Sequence, residues 1–197
     1  MKNTSDTCQR IIESAQALIH ANSYSDIGVA AICEKAKVQK GSFYHFFSSK
    51  QELTLAVIDK NIADMKEKII TQAFNPALAP LERLQIFFDL TIKRQTNIYQ
   101  ETGKIYGCPI GNLATEMSTQ DENIRSKLNT SFNGLLSLIS QTLQEAVDNN
   151  DVNNINDVEC TAQAMIAYFE GVLLLAKTQN NPSLFKQLMP AILSIRL

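Results

Sequence analysis

Val38-Gln39-Lys40-Gly41-Ser42-Phe43-Tyr44-His45-Phe46-Phe47-Ser48-Ser49-Lys50 is the stretch whose reading decides the fold. It crowds a glycine, several polar donors and an aromatic run into thirteen residues. Just before it, Val29-Ala30-Ala31-Ile32-Cys33-Glu34-Lys35-Ala36 reads as a short helix, with Ile32 and Ala36 four apart on one face. Two short helices joined by a tight turn form a helix-turn-helix, whose second helix lies in the major groove of DNA. The N-terminal end of that helix points into the groove, which places Gln39, Lys40 and Ser42 for base edges. Lys is a natural partner of guanine O6 and N7, and Gln can bond adenine bidentately. Gly41 lets backbone come close to the duplex. Phe43, Phe46 and Phe47 are expected to be core that locks the short helices together.

Outward from this stretch the pattern is helical throughout. Residues 1–6 are polar and expected to fray. From Thr7 to about Asn22, Ile11, Ile12, Ala15, Leu18 and Ile19 recur at helical spacing, and a turn follows at 22–26. Ser48 is expected to cap a new helix, with Gln51 completing a capping box. Ile58, Ile62, Met65 and Ile69 carry that helix to about Phe74 without a flexible linker. Asn75-Pro76 and Pro80 then mark a break. Further helices are expected at about 81–100, from Pro109 to about Ser118, and at 121–148, 157–179 and 182–195. The fold class is therefore all-α: an N-terminal helix-turn-helix domain over residues 1–50, joined by a long helix to a bundle within 51–197. The last two helices carry apolar faces wider than one core-facing stripe, including Leu174 and Leu175. Such faces imply a further partner.

The chain has 197 residues, 45% hydrophobic, enough for a sizeable core. No run approaches the roughly 18 uninterrupted apolar residues of a membrane span, and the N-terminus has no charged-then-apolar signal pattern. Cys8, Cys33, Cys108 and Cys160 are widely spaced, so neither a zinc site nor a disulfide framework is indicated. A cytoplasmic protein with reduced thiols is the simplest reading. The formal net charge of −2 hides an asymmetry: residues 1–50 hold six Lys/Arg against four Asp/Glu, and the rest of the chain is acidic. The basic excess accompanies the proposed DNA-reading segment.

The arrangement of Ile32, Ala36, Val38, Lys40-Gly41-Ser42-Phe43-Tyr44-His45-Phe46-Phe47 and Ser49-Lys50 resembles the DNA-binding domain of TetR-family transcriptional repressors, over roughly residues 7 to 60. Gly28 stands where that family often has a capping Thr, and Lys37 where the turn often has Gly. Lys in a left-handed turn costs about 1 kcal/mol. The resemblance implies that Tyr44, His45 and Lys50 contact phosphates, and that the last two helices form a homodimer. Paired half-sites on a pseudo-palindromic double-stranded DNA operator then multiply the affinity of one small reading head. His20, the second histidine, reads as a favourable charge near a helix C-terminus.

The C-terminal part is expected to hold an inducer pocket between helices. Gly107-Cys108-x-x-Gly111-Asn112-Leu113-x-x-Glu116 and Lys177 resemble the N-ethylmaleimide-responsive repressor branch of the family. Two kinds of inducer stay open: a non-covalent apolar molecule, or an electrophile or oxidant acting on Cys108. A helix starting near Pro109 lowers the pKa of a thiol just ahead of it. Lys177 offers a nearby cation or a trap for an oxidised sulfur. The other reading of Cys108 is a small apolar filler in a turn.

An enzyme is the rival class. Nucleophilic catalysis by Cys108 needs a base, and His20 and His45 both lie in the other half of the chain. No phosphate loop, dinucleotide fingerprint or metal spacing occurs, so no cofactor or metal is expected. An acid/base pair drawn from Glu116 and Glu170 has no support from spacing. A helical adaptor without DNA contact would leave Lys40-Gly41-Ser42 without a purpose.

Overall fold

The computed structural model describes residues 4–197. Among them every regular element is helical, in line with the all-α expectation. The fraying expected for residues 1–6 falls partly on 1–3, which lie outside the described residues; from Thr4 the chain is already helical. The compact units do not divide at residue 50. One comprises the chain up to Ala63 with Pro109–Asn129, and the other Asp64–Cys108 with Thr130–Leu197.

The first unit contains α1 (Thr4–Ala21), α2 (Val29–Ala36), α3 (Lys40–Phe46), most of α4 (Lys50–Met65), α7 (Pro109–Met117) and the start of α8 (Glu122–Asp148). Ile11, Ala15 and Ile19 form the buried stripe of α1, and Ile32, Phe43, Leu53 and Ile58 are buried beside it. Gly28 is the N-cap of α2 in extended conformation and offers no side-chain bond. Lys37 takes the left-handed conformation (φ 55°, ψ 48°). Its N–H reaches the Glu34 carbonyl at 3.0 Å and the Val38 N–H reaches that of Cys33 at 3.0 Å, so two helix-end carbonyls are satisfied. Those bonds offset the cost of a Cβ in that region.

The start of α4 differs from expectation by one residue. Ser49 Oγ accepts from the Glu52 N–H at 3.1 Å, and Glu52 reaches back to the Ser48 N–H and hydroxyl, both at 2.7 Å. Ser49 is therefore the N-cap, and Glu52 rather than Gln51 makes the return bond, one residue further back at Ser48, because a carboxylate outcompetes an amide for a backbone donor. Gln51 donates to Asp121 instead. The helix continues through a π turn at Lys66–Ile70 into α5 (Thr71–Ala73), and Thr71 Oγ1 donates to the Lys66 carbonyl at 2.8 Å, across the widened turn. The helical run thus ends where the periodicity placed it.

In the second unit, α6 (Pro80–Thr102) starts on a proline and ends on Gly103, whose φ of 70° supplies the left-handed stop. α9 (Val158–Gln179) buries Met165, Phe169, Val172, Leu173 and Ala176. Phe88 lies tilted against Phe169 at 5.4 Å and edge-on to Phe87 at 5.1 Å. Arg83 forks onto Glu145 at 2.6 and 3.0 Å and fixes α6 against α8. By length and composition α9 would suffice to cross a membrane, but these buried side chains belong to the unit's core. The expected last helix splits into α10 (Ser183–Leu188) and a 3-10 turn at Met189–Ser194. Pro190 has no N–H and crowds the preceding turn, so an α-helix stops there.

Candidate functional site

The reading segment presents one polar face. Gln39 is the extended N-cap of α3; it, Lys40, Gly41 and His45 are exposed, and Ser42 is half-buried. Tyr44 is 58% exposed, far more than its neighbours Phe43 and Phe47, which are buried. Phe43 lies edge-on to Tyr44 at 5.1 Å and tilts against Phe47 at 6.0 Å, so the core ring holds the exposed one in place. Phe46 is only half-buried. A Cβ built on Gly41 would meet no atom within 4 Å. Among the described residues nothing demands a glycine there.

Lys50 has a task that the sequence did not disclose. Its Nζ donates to the carbonyls of Tyr24 at 2.7 Å and Ile27 at 3.0 Å, and lies 3.9 Å from the Tyr24 ring centroid. Burial pushes the ammonium pKa down while Glu116 pushes it up, with burial prevailing. Two of its three donors are therefore committed to the turn before α2.

Glu116 holds the same turn from the other side. Its carboxylate accepts from the N–H groups of Tyr24 and Ser25, each at 2.8 Å, and from the Ser25 hydroxyl at 2.6 Å. Burial works against the charged form, but these bonds and the Lys50 charge hold the pKa below the usual glutamate value. The turn's N–H groups thus meet a carboxylate and its carbonyls an ammonium.

Around Cys108 the backbone is pinned from two elements. Gly107 takes φ 76°, which requires glycine. Its carbonyl accepts from Gln95 Nε2 at 3.0 Å, and the Ile105 N–H donates to Asn180 Oδ1 at 3.1 Å. Asn180 Nδ2 also donates to the Gly103 carbonyl at 2.9 Å. The half-buried Cys108 precedes α7 directly, as expected, and its thiol donates a hydrogen bond to the Glu170 carboxyl. Burial pushes the Glu170 pKa up, and this bond only partly opposes it. Lys177 is exposed on α9, seven residues beyond Glu170. Gln95 and Asn180 are what sequence reasoning missed, and Glu170 it named only as an unsupported acid/base partner of Glu116. Glu170 interrupts the apolar run of α9, which was an available signal, whereas Gln95 and Asn180 lie in the polar runs Lys93-Arg94-Gln95-Thr96-Asn97 and Lys177-Thr178-Gln179-Asn180-Asn181, where nothing singles them out.

The fold and the reading face define a helix-turn-helix transcriptional regulator. Residues 11–57 match the family described as bacterial regulatory proteins, tetR family, and residues 80–192 match the tetracyclin repressor-like C-terminal domain. An uncharacterised HTH-type transcriptional regulator of Lactococcus lactis, from the lacX 3′ region, is 30% identical over 181 residues, covering 91% of this chain and 87% of that protein. The chain belongs to the TetR family. The HTH-type transcriptional repressor NemR of Escherichia coli is 24% identical over 176 residues, covering 89% of this chain and 86% of NemR. Its reduced-form crystal structure superposes with a TM-score of 0.82 over 96% of this chain and 97% of that one. A TetR regulatory protein from Rhodobacter sphaeroides gives a TM-score of 0.85 at 27% identity, covering 96% and 98% of the two chains. The C-terminal half is NemR-like.

Proposed function

We propose that the protein is a homodimeric repressor that binds a pseudo-palindromic operator and leaves it when an electrophile modifies Cys108. The observation that carries the DNA-binding part is the face of α3. Gln39, Lys40, Gly41, Tyr44 and His45 stand in solvent over a buried Phe43, and the open space at Gly41 leaves its choice to a close-approaching partner. Lys40 and Gln39 read base edges, while Tyr44 and His45 hold phosphates. Lys50 reaches a phosphate only through its third proton, and its larger part is to fix the turn ahead of α2.

Dimerisation is supported by Leu174 and Leu175 on α9, which are 63% and 47% exposed. Adjacent large apolar side chains in solvent fit a self-complementary two-fold interface. Repression is the simplest outcome, because bound protein blocks polymerase; such a regulator works beside the chromosome, in the cytoplasm. Release requires that modification favour a conformation whose half-site spacing no longer fits the operator.

The test is fluorescence anisotropy on the duplex upstream of the protein's own gene. Wild-type protein should bind and release on N-ethylmaleimide, Lys40→Ala should bind weakly, and Cys108→Ser should bind and stay. Equal release of wild type and Cys108→Ser would remove Cys108 and favour a non-covalent apolar inducer.

A further inference from the structure

We propose that Lys37, with Lys35 and Arg10 beside it, is a phosphate anchor: the cleft lined by these three cations grips one backbone phosphate of the operator and fixes the register of the reading head. The inference rests on the reading of α3 as the DNA-contacting helix, and it adds a contact that lies outside that helix.

Strain is the first observation. Lys37 holds φ 55° and ψ 48°, a conformation that penalises any Cβ and that glycine would take freely. The bonds from the Lys37 and Val38 N–H groups to the end of α2 are backbone bonds, which glycine would make equally well. The turn has no use for a lysine side chain. Strain kept where the fold does not need it points to a task in solvent.

The setting of that side chain is the second observation. Arg10, Glu13, Ser14, Lys35, Ala36 and Lys37 line an open cleft of about 320 Å3 between α1 and the C-terminal end of α2. Its one carboxylate, Glu13, is exposed and already accepts from Gln9 Nε2 at 2.9 Å. Lys35 and Lys37 are exposed and form no ion pair among the described residues. Arg10 is the fixed wall, with Nη1 donating to the Ala36 carbonyl at 3.2 Å. Its Nε is buried without a hydrogen-bond partner, the Asp6 carboxylate lying 3.5 Å away. An anion is what such a lining lacks.

Position selects the anion. Lys37 is two residues ahead of Gln39, the N-cap of α3, so at most about 7 Å of chain separates them. Phosphates of one strand advance about 3.4 Å each along the duplex axis. A phosphate one or two nucleotides from the base that Gln39 reads therefore falls within that span. Such a contact carries no sequence information, but it positions the protein on the duplex.

The competing role is purely helical, because a cation near the C-terminal carbonyls of α2 is favourable without any DNA. The two roles move different quantities. Lys37→Gly keeps the turn and removes the side chain, and it is compared with wild type on the operator by anisotropy over a salt series. The salt slope should become shallower by about 0.9, so the wild type's advantage shrinks about 3.5-fold between roughly 50 and 200 mM salt. The melting temperature should not fall, since the strained Cβ is gone. On duplexes carrying a single neutral methylphosphonate, one position per half-site should weaken wild type and be silent in Lys37→Gly. An unchanged slope, with or without a lower melting temperature, overturns the anchor, as do methylphosphonate effects identical in the two proteins. Wild type that still prefers the operator over random DNA keeps the reading of α3 standing when the anchor fails, whereas wild type that binds no duplex overturns both. Inorganic phosphate titrated at constant ionic strength should not compete; competition seen in wild type and lost in Lys37→Gly assigns the cleft to a free anion and overturns the DNA contact.

Discussion

Removing the Glu116 carboxylate should loosen the turn before α2 by a calculable amount. Three donors point at it, from the Tyr24 N–H, the Ser25 N–H and the Ser25 hydroxyl. A hydrogen bond to a charged group contributes about 1.5–3 kcal/mol. The three do not add, because Ser25 is exposed and water replaces the carboxylate there, whereas the Tyr24 bond is partly buried. Glu116→Ala should therefore cost roughly 2–3 kcal/mol in local opening of this turn. That corresponds to amide hydrogen exchange at Tyr24 and Ser25 about 30- to 150-fold faster, since each 1.4 kcal/mol is a factor of ten. The pH dependence has a definite sign. The folded-state pKa is depressed, so the stabilisation is fully present above the ordinary glutamate range and is lost as pH falls through the depressed value. The difference between wild type and Glu116→Ala should therefore narrow in acid. Exchange at Tyr24 and Ser25 that matches wild type at neutral pH would refute the clamp.

Gly41→Ala should raise thermal stability by up to about 1 kcal/mol, since alanine is the better helix former and its Cβ meets open space, yet weaken operator binding; a melt paired with anisotropy checks both signs, and retained affinity would remove the close approach. Lys50→Met should cost about 1–3 kcal/mol in urea unfolding, because two carbonyls lose a charged donor. If Lys50 also holds a phosphate, the salt slope of binding falls by about one in the same variant. Lys40→Ala should weaken the operator by roughly 1–3 kcal/mol and relax preference at one base pair, whereas equal weakening on random DNA would make it a phosphate contact. Leu174→Lys combined with Leu175→Lys should give monomers by light scattering at micromolar concentration; an intact dimer would place the interface elsewhere.

How much of this was legible in the sequence differs by scale. The helices of the reading head were legible because a left-handed turn, a glycine and a run of rings sit at fixed offsets; even the departure at Lys37 was visible, and the chain adopts it. The capping register was missed by one residue because Ser48 and Ser49 look alike, and only the reach of Glu52 decides between them. The split of the last helix could have been read from Pro190. Residues 109–129 join the first compact unit through contacts distant in the chain, Glu116 with Tyr24 and Gln51 with Asp121, and no local pattern encodes those. Lys50 shows the same limit. A lysine beside a reading helix looks like a phosphate ligand until the carbonyls it meets are placed.

The two glutamates that spacing alone could not single out frame the nine-residue α7. Cys108, the donor to Glu170, immediately precedes its first residue, and Glu116 lies on its last turn with three donors from the turn before α2. A helix this short behaves as a rigid rod, because its ladder of i to i+4 bonds resists bending. Within the first unit, Glu116 thus ties the last turn of α7 to the turn before α2 through bonds that tolerate only a few tenths of an ångström, so a rotation of that turn of α7 by one residue would break all three at once.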